Sequence, residues 1–306
     1  MTESTGPAPS IADLASPHSF GLTDLLLLAM AVIWGVNFVV VKYATHIFSP
    51  VAFTGLRVGT AAAFLVAFAY ARGGFALSRH DVLRLLFLGV IGNGLYQLFF
   101  VHGVARTRAG NASLIVGAAP AFIALVARAR GMERVKRMTL VGIALSVIGV
   151  GIVIAGSAKS SSGNENTLLG SVLVFLGVLC WTAYTIMLQP YTKRIDVIQL
   201  SAVTLVGGAV PLVIASMPAL ISTNWSAIGA GGWLAVLYSS VLSMGVAYFF
   251  WYRGLRVLGP TRTAVYSNLQ PIVALIAAWA FLGEIPTMFQ GVGAVTIIAG
   301  VFLTRS

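Results

Sequence analysis

Ten apolar stretches of 19 to 24 residues follow one another along this 306-residue chain, at 22–42, 50–71, 82–105, 109–127, 138–156, 168–188, 197–217, 231–252, 260–282 and 286–304. About 20 such residues, each rising about 1.5 Å in a helix, cross a hydrocarbon core of about 30 Å. Hydrophobic residues make up 58% of the chain and Asp, Glu, Lys and Arg only 9%, too few to cover a soluble domain of this size. The gaps between stretches are short, so no separate soluble domain fits among them. The fold class that follows is all-α integral membrane, with ten transmembrane helices.

The basic residues set the orientation. With the N-terminus in the cytoplasm, fourteen of the 19 Lys and Arg residues fall at the inner ends of spans: Arg72, Arg79, Arg84, Arg128, Arg130, Arg134, Lys136, Arg137, Lys193, Arg194, Arg253, Arg256, Arg262 and Arg305. Four fall outside, Lys42, Arg106, Arg108 and Lys159, and Arg57 lies within a span. Short loops enriched in Lys and Arg stay in the cytoplasm, so both termini are expected there. The net charge of +11 has the same origin and does not call for a nucleic-acid partner, because the charges sit at helix ends facing the membrane surface. Residues 1–21 carry Glu3, Asp13 and no Lys or Arg, unlike a secretory signal, and read as a polar cytoplasmic tail. Cys180 is the only cysteine, which excludes an intrachain disulfide and a cysteine-based metal site.

An internal repeat divides the chain. A shift of 151 residues places Phe99 on Phe250, Gly103 on Gly254, Pro120 on Pro271, Glu133 on Glu284, and Gly142 and Gly149 on Gly293 and Gly300, without gaps. Further upstream a shift of 147 places Trp34 on Trp181. The halves are expected at 22–156 and 168–304, joined by a Ser-, Gly- and Asn-rich outer linker at 157–167. Five spans per half make the copies enter the membrane from opposite sides, so the repeats are inverted. Inverted repeats imply alternating access around a central cavity near the bilayer midplane.

These residues carry a family resemblance. Trp34-Gly35 with Asn37 in the first span, Arg57 in the second, Ala119-Pro120 and Gln270-Pro271 in the fourth and ninth, and Leu282-Gly283-Glu284 before a glycine-rich last helix resemble the drug/metabolite transporter superfamily and its EamA branch. Among its members the bacterial amino-acid exporters of the YddG type are the most similar in pattern. The resemblance covers 22–304 and implies export of small organic metabolites, such as amino acids, across a bacterial inner membrane. The first half departs from the pattern: Trp279 to Glu284 reads WAFLGE where 128–133 reads RARGME, so the fourth span is expected to end near Ala127 and Glu133 need not do what Glu284 does.

The polar and aromatic residues inside the spans are the candidate substrate-binding set. Asn93, Tyr96, Gln97 and Phe100 share one helix face, and Asn or Gln facing lipid would be unsatisfied, so this face points inward. Met244 and Tyr248 belong to a stripe in the eighth span that continues to Trp251 and Tyr252, where anchoring at the membrane interface is the competing role. Tyr266 and Gln270 share a face of the ninth span, and Trp34 with Asn37 is echoed by Trp181 with Tyr184. Polar contact between helices is the alternative for all of them.

A second set is read as gating or structural. Pro120 and Pro271 break their helices at equivalent points, which either exposes carbonyls to a substrate or supplies hinges. Arg57 lies about 10 Å deep and either receives a substrate carboxylate or caps a broken helix end. Lys42 is expected to snorkel outward, and the glycines at 142, 149, 293 and 300 to pack spans five and ten or a dimer. The acidic residues, Glu284 included, fall in tails, loops or span ends, which leaves the midplane without a carboxylate to relay protons or hold sodium. His102 is the one histidine in a span, so facilitated movement is the leading energetics and histidine-linked proton exchange the second. No metal or cofactor is implied. A membrane-embedded enzyme would need a cluster of His, Cys or carboxylate that the spans lack. A passive channel would need polarity along whole helices.

Overall fold

The structure is a computed structural model that describes residues 21–131, 137–159 and 167–303. Residues 1–20, the segment 132–136 with Glu133, the linker residues 160–166 and residues 304–306 lie outside the described residues. Among those described there are helices and no strands. They group into α1 (Leu22–Ala44), α2 (Pro50–Ala71), α3 (Arg79–Arg106), α4 (Ala109–Ala129), α5 (Arg137–Lys159), α6 (Thr167–Thr192), α7 (Val197–Ile221), α8 (Ala230–Val257), α9 (260–282) and α10 (Met288–Leu303).

Local chemistry sets the ends. Ser49 caps α2 by accepting from the Ala52 amide at 3.3 Å, with Pro50 in the first turn, where its missing N–H costs nothing. Ser78 caps α3 through the Asp81 amide at 3.1 Å, and Asp196 caps α7 through the Ile198 amide at 2.9 Å. Gly283, at φ 66°, ends α9 in a left-handed turn that a side chain would strain.

Eight of these helices are long and apolar enough to cross a membrane, against ten expected; the apolar parts of α5 and α10, Leu140–Gly156 and Met288–Gly300, are shorter. The last helix begins at Met288 rather than 286, because the residues from Gly283 through Pro286 to Thr287 are not helical. The fourth runs to Ala129, two residues past the expected Ala127.

Packing follows small residues. Helix α2 lies along α7 and α5 along α10, while α1 rests on α8 and α9, and α6 on α3 and α4. The repeated glycines meet across α5 and α10 in a crossed pattern: a Cβ on Gly300 would stand 2.5 Å from the Gly142 carbonyl, and one on Gly149 3.0 Å from the Gly293 carbonyl. That chooses helix packing for these glycines. Large apolar side chains such as Ile214, Leu234, Ile276 and Phe281 stay exposed on the outside, as a lipid-facing surface allows.

Two features place the site. Helix α3 widens to π geometry over Val90–Leu95, and α8 does so over Tyr238–Val246. A π segment displaces carbonyls from the regular ladder, and such segments are frequent at functional sites. Helix α4 is interrupted at Ala118, between Ala109–Gly117 and Ala119–Ala129, and α9 at Ser267 and Asn268, between Pro260–Tyr266 and Leu269–Leu282.

Candidate functional site

The two interruptions and the π segment of α8 border a cavity of about 40 Å³, and the π segment of α3 ends one residue before its lining begins at Tyr96. That volume holds a few water molecules and is far below the roughly 300 Å³ of a small-ligand pocket, so the side chains at the centre leave no ligand-sized space. Of the sequence-derived candidates, Trp34, Asn37, Tyr96, Gln97, Phe100, Trp181, Tyr248, Gln270 and Pro120 line it.

The rings form its body. Trp34 meets Trp181 edge-on at 5.8 Å, Tyr248 at 5.8 Å and Trp251 at 5.5 Å; Trp181 lies 5.1 Å from Tyr96 and 5.7 Å from Tyr248. These separations are those of mutually attracting aromatic pairs. Residues that the repeat makes equivalent therefore touch at the centre, Trp34 with Trp181 by packing and Gln97 with Tyr248 by a hydrogen bond from Gln97 Nε2 to the Tyr248 hydroxyl at 2.9 Å.

Helix α1 is bonded to the π segment of α8. The indole N–H of Trp34 donates to the Ser243 carbonyl at 2.9 Å, the Tyr238 hydroxyl to the Ile33 carbonyl at 3.0 Å, and the Ser239 hydroxyl to Asn37 Oδ1 at 2.9 Å. The prolines act through the residue four positions back. Pro120 cannot donate to the carbonyl of Val116, nor Pro271 to that of Ser267, and both Val116 and Ser267 line the cavity. The Ser267 carbonyl accepts instead from the Gln270 amide at 3.0 Å.

Other candidates lie elsewhere. Tyr184 and Asn93 are buried beside the cavity in a polar cluster, where Asn93 Nδ2 donates to the Tyr184 hydroxyl at 3.5 Å and that hydroxyl also bonds Tyr252. Met244 is buried in the core without lining the cavity, and Pro271 packs over Gly117. Tyr266 turns from Gln270 and donates its hydroxyl to Asp24 near the start of α1. His102 faces its own helix, with Nδ1 3.0 Å from the Leu98 carbonyl, and does not reach the cavity.

Three expectations need correction. Trp251 and Tyr252 are not interfacial anchors; both are fully buried, and Trp251 lines the cavity. Lys42 does not snorkel; it is buried and donates to the Ala105 carbonyl at 3.2 Å. Arg57 leaves Nε and Nη1 without a hydrogen-bond partner, so these nitrogens cap no helix. Its guanidinium stands 5.8 Å from the ring centres of both Phe53 and Phe100.

Residues that sequence reasoning missed include Phe38, Ser243 and Ser267 on the lining. The Ile91-Gly92-Asn93-Gly94 and Ser239-Ser240 to Ser243 stretches, poor helix formers in mid-span, were the available signal for the π segments. The part played by Glu284 was not legible either. Its carboxylate accepts from the amides of Ala109 at 3.0 Å and Gly110 at 3.3 Å, which caps α4 from a distant part of the chain. Arg108 adds a 2.6 Å bond from Nη2 to the Ile285 carbonyl, and Gln290 Nε2 bonds Asn111 Oδ1 at 2.8 Å. All four acidic side chains among the described residues are thus engaged at helix ends, Asp24 with Tyr266, Asp81 with Arg194, Asp196 at α7 and Glu284 at α4.

Comparison with known proteins gives the geometry a context. A sequence model described as the EamA-like transporter family matches residues 21–155 and again 168–306. An uncharacterised transporter of Bacillus subtilis (strain 168), YyaM, is 30% identical over 92% of this chain and 92% of its own length. A "probable amino-acid metabolite efflux pump" of Salmonella typhimurium (strain LT2) is 29% identical over 91% of this chain and 93% of its own. Its Escherichia coli (strain K12) namesake is 28% identical over 91% and 93%. A solved crystal structure with 19% identity superposes with a TM-score of 0.66 over 94% of this chain and 99% of its own, a likeness of fold.

Proposed function

This chain belongs to the EamA-like transporter family, a multi-pass membrane protein, and from that premise we propose that it exports small organic metabolites, amino acids foremost, by alternating access. The observation that carries the proposal is the small central cavity, built from both halves, in which Trp34 meets Trp181 and Gln97 bonds Tyr248. Residues paired by an inverted repeat meet on its two-fold axis, and rocking of one half against the other opens such a centre to each side in turn. The crossed glycine contacts of α5 and α10 and the two separate family matches support the same division into repeats at 22–156 and 168–304. The efflux-pump relatives supply the direction and the amino-acid class. Enzyme chemistry finds no support in the lining, which offers amides, hydroxyls and rings, and a channel is disfavoured by the size of the central space, about 40 Å³.

Substrate binding is assigned to Trp34, Asn37, Tyr96, Gln97, Phe100, Trp181, Tyr248 and Gln270, with Trp251 and Ser267 added from the structure. With the acidic groups engaged at helix ends, the centre holds nothing that titrates in the physiological range to carry a coupled proton. Liposomes holding the purified protein are therefore expected to show counterflow of labelled amino acids without any ion gradient, and His102→Gln is expected to leave that counterflow intact. Absence of counterflow with every amino acid tried would overturn the substrate class. Accumulation driven by a pH gradient and lost in His102→Gln would overturn facilitated exchange.

The orientation we propose, both termini in the cytoplasm of a bacterial inner membrane, is supported by the fourteen basic residues at inner span ends against four at outer ones. A reporter fused after Ser306 is expected to be active only as a cytoplasmic reporter, and one inserted at Gly163 only as an outer one. The same side for both would remove the inverted repeat.

A further inference from the structure

Two charged side chains are buried among the described residues, Lys42, which donates to the Ala105 carbonyl, and Arg57. Arg57 is 1% exposed, its Nε and Nη1 bond nothing, and none of the described acidic side chains pairs with it. Asp24, Asp81, Asp196 and Glu284 are all held at helix ends. A guanidinium cannot shed its proton to escape this setting, and two ring faces at 5.8 Å offset only part of the cost of removing it from water. A neutral residue of similar size would serve packing better.

The position of this charge is as informative as its isolation. Phe100 lies against Arg57 on one side and lines the cavity on the other, stacked on Tyr96 at 5.6 Å. Around the cavity the polar groups are neutral, Asn37, Gln97, Gln270, Ser243 and Ser267. A positive charge therefore sits one ring behind a neutral lining. We propose that Arg57 is the anion-binding residue of the transport site and takes the carboxylate of the substrate when Phe100 and Tyr96 move apart. This rests on the central cavity being the substrate site. A guanidinium gives a carboxylate two parallel N–H bonds in one plane, which arginine supplies and lysine does not. The aromatic lining then faces the remainder of the molecule. Substrates lacking a carboxylate are excluded because they leave the buried charge unanswered.

The test needs no mutant in its first arm. The full-length protein in detergent, in chloride-free buffer at neutral pH, is titrated with benzoate, with its neutral isostere benzamide, and with chloride, while thermal unfolding is followed. A ligand bound only by the folded protein raises the midpoint by mass action. Benzoate is expected to raise it, and benzamide to require at least about tenfold more for the same shift. In Arg57→Gln the preference should vanish, and in Arg57→Lys it should fall to an intermediate value. Equal effects of benzoate and benzamide on the native chain would overturn the proposal, even if transport of amino acids is established. Chloride matching benzoate at equal concentration would also overturn it, identifying a free-anion site. Selective benzoate binding lost in Arg57→Gln would uphold it even where liposomes show no amino-acid flux, in which case only the transported class is wrong.

Discussion

Gly208→Leu is expected to yield no folded protein, and Gly208→Ala a protein whose stability falls by about 3 kcal/mol, the upper end of ordinary overpacking. Helix α7 passes α3 at the π segment with backbone against backbone. A Cβ on Gly208 would stand 2.3 Å from the Asn93 carbonyl carbon and 2.6 Å from the Gly94 nitrogen. One residue earlier, a Cβ on Gly207 would meet the Leu86 carbonyl oxygen at 2.1 Å, and from the other side a Cβ on Gly89 would meet the Thr204 oxygen at 2.0 Å. No flexible side chain is present to give way, so the helices themselves must separate, and the Asn93, Tyr184 and Tyr252 cluster beside the crossing loses its register. Against a net stability of about 5–15 kcal/mol, one methyl group takes a large share. Gly151 in α5 is the control: nothing lies within 4 Å of its Cβ position, and Gly151→Ala is expected to be neutral or to stabilise by up to about 1 kcal/mol through helix propensity. Thermal unfolding in detergent, with the yield of monodisperse protein, measures both. Native stability in Gly208→Ala would mean that α3 and α7 do not cross this closely.

Trp34→Ala is expected to lower amino-acid counterflow by about tenfold or more while the protein still inserts and folds. This ring contacts Trp181, Tyr248 and Trp251, and its N–H serves the Ser243 carbonyl that the π segment displaces from the helix ladder. Ring pairs contribute about 0.5–1.5 kcal/mol each and such a hydrogen bond about 1 kcal/mol, so removal takes a few kcal/mol from the closed state. Each ~1.4 kcal/mol is a factor of ten in an equilibrium. Loss of the closed state breaks the cycle between two access states. Trp34→Phe keeps a ring and removes the N–H, and is expected to fall between the two. If Trp34→Ala transports at the native rate, the aromatic centre is packing rather than pathway.

How much of this was legible in the sequence differs from residue to residue. The face of α3 carrying Tyr96, Gln97 and Phe100 could be read from helical spacing alone, because an amide has no partner in lipid. Trp34 and Trp181 could be read from the repeat. Trp251 and Tyr252 could be read two ways, as part of the α8 stripe or as anchors at the membrane edge, and only the structure shows both buried, with Trp251 on the cavity. Tyr266 followed its spacing to Gln270 on paper, yet its hydroxyl goes to Asp24 on another helix, a contact that no local pattern encodes. Glu284 was visible as a repeated residue, but its partners, the Ala109 and Gly110 amides, lie 175 and 174 positions away.

The sequence by itself determined the class of the molecule and its family. Hydrophobic length, charge and repetition are one-dimensional quantities, and a bilayer, being a planar solvent of set thickness, reads them directly. Only the tertiary structure decided which polar side chains answer one another and which are left without a partner. Hydrogen bonds between helices depend on rotations and close approaches that small residues permit, such as Gly208 against Asn93, and on local widening of a helix. The unpartnered guanidinium of Arg57 is the sharpest case: its charge is visible in the sequence, while its isolation, with every acidic residue among those described held elsewhere, exists only in three dimensions.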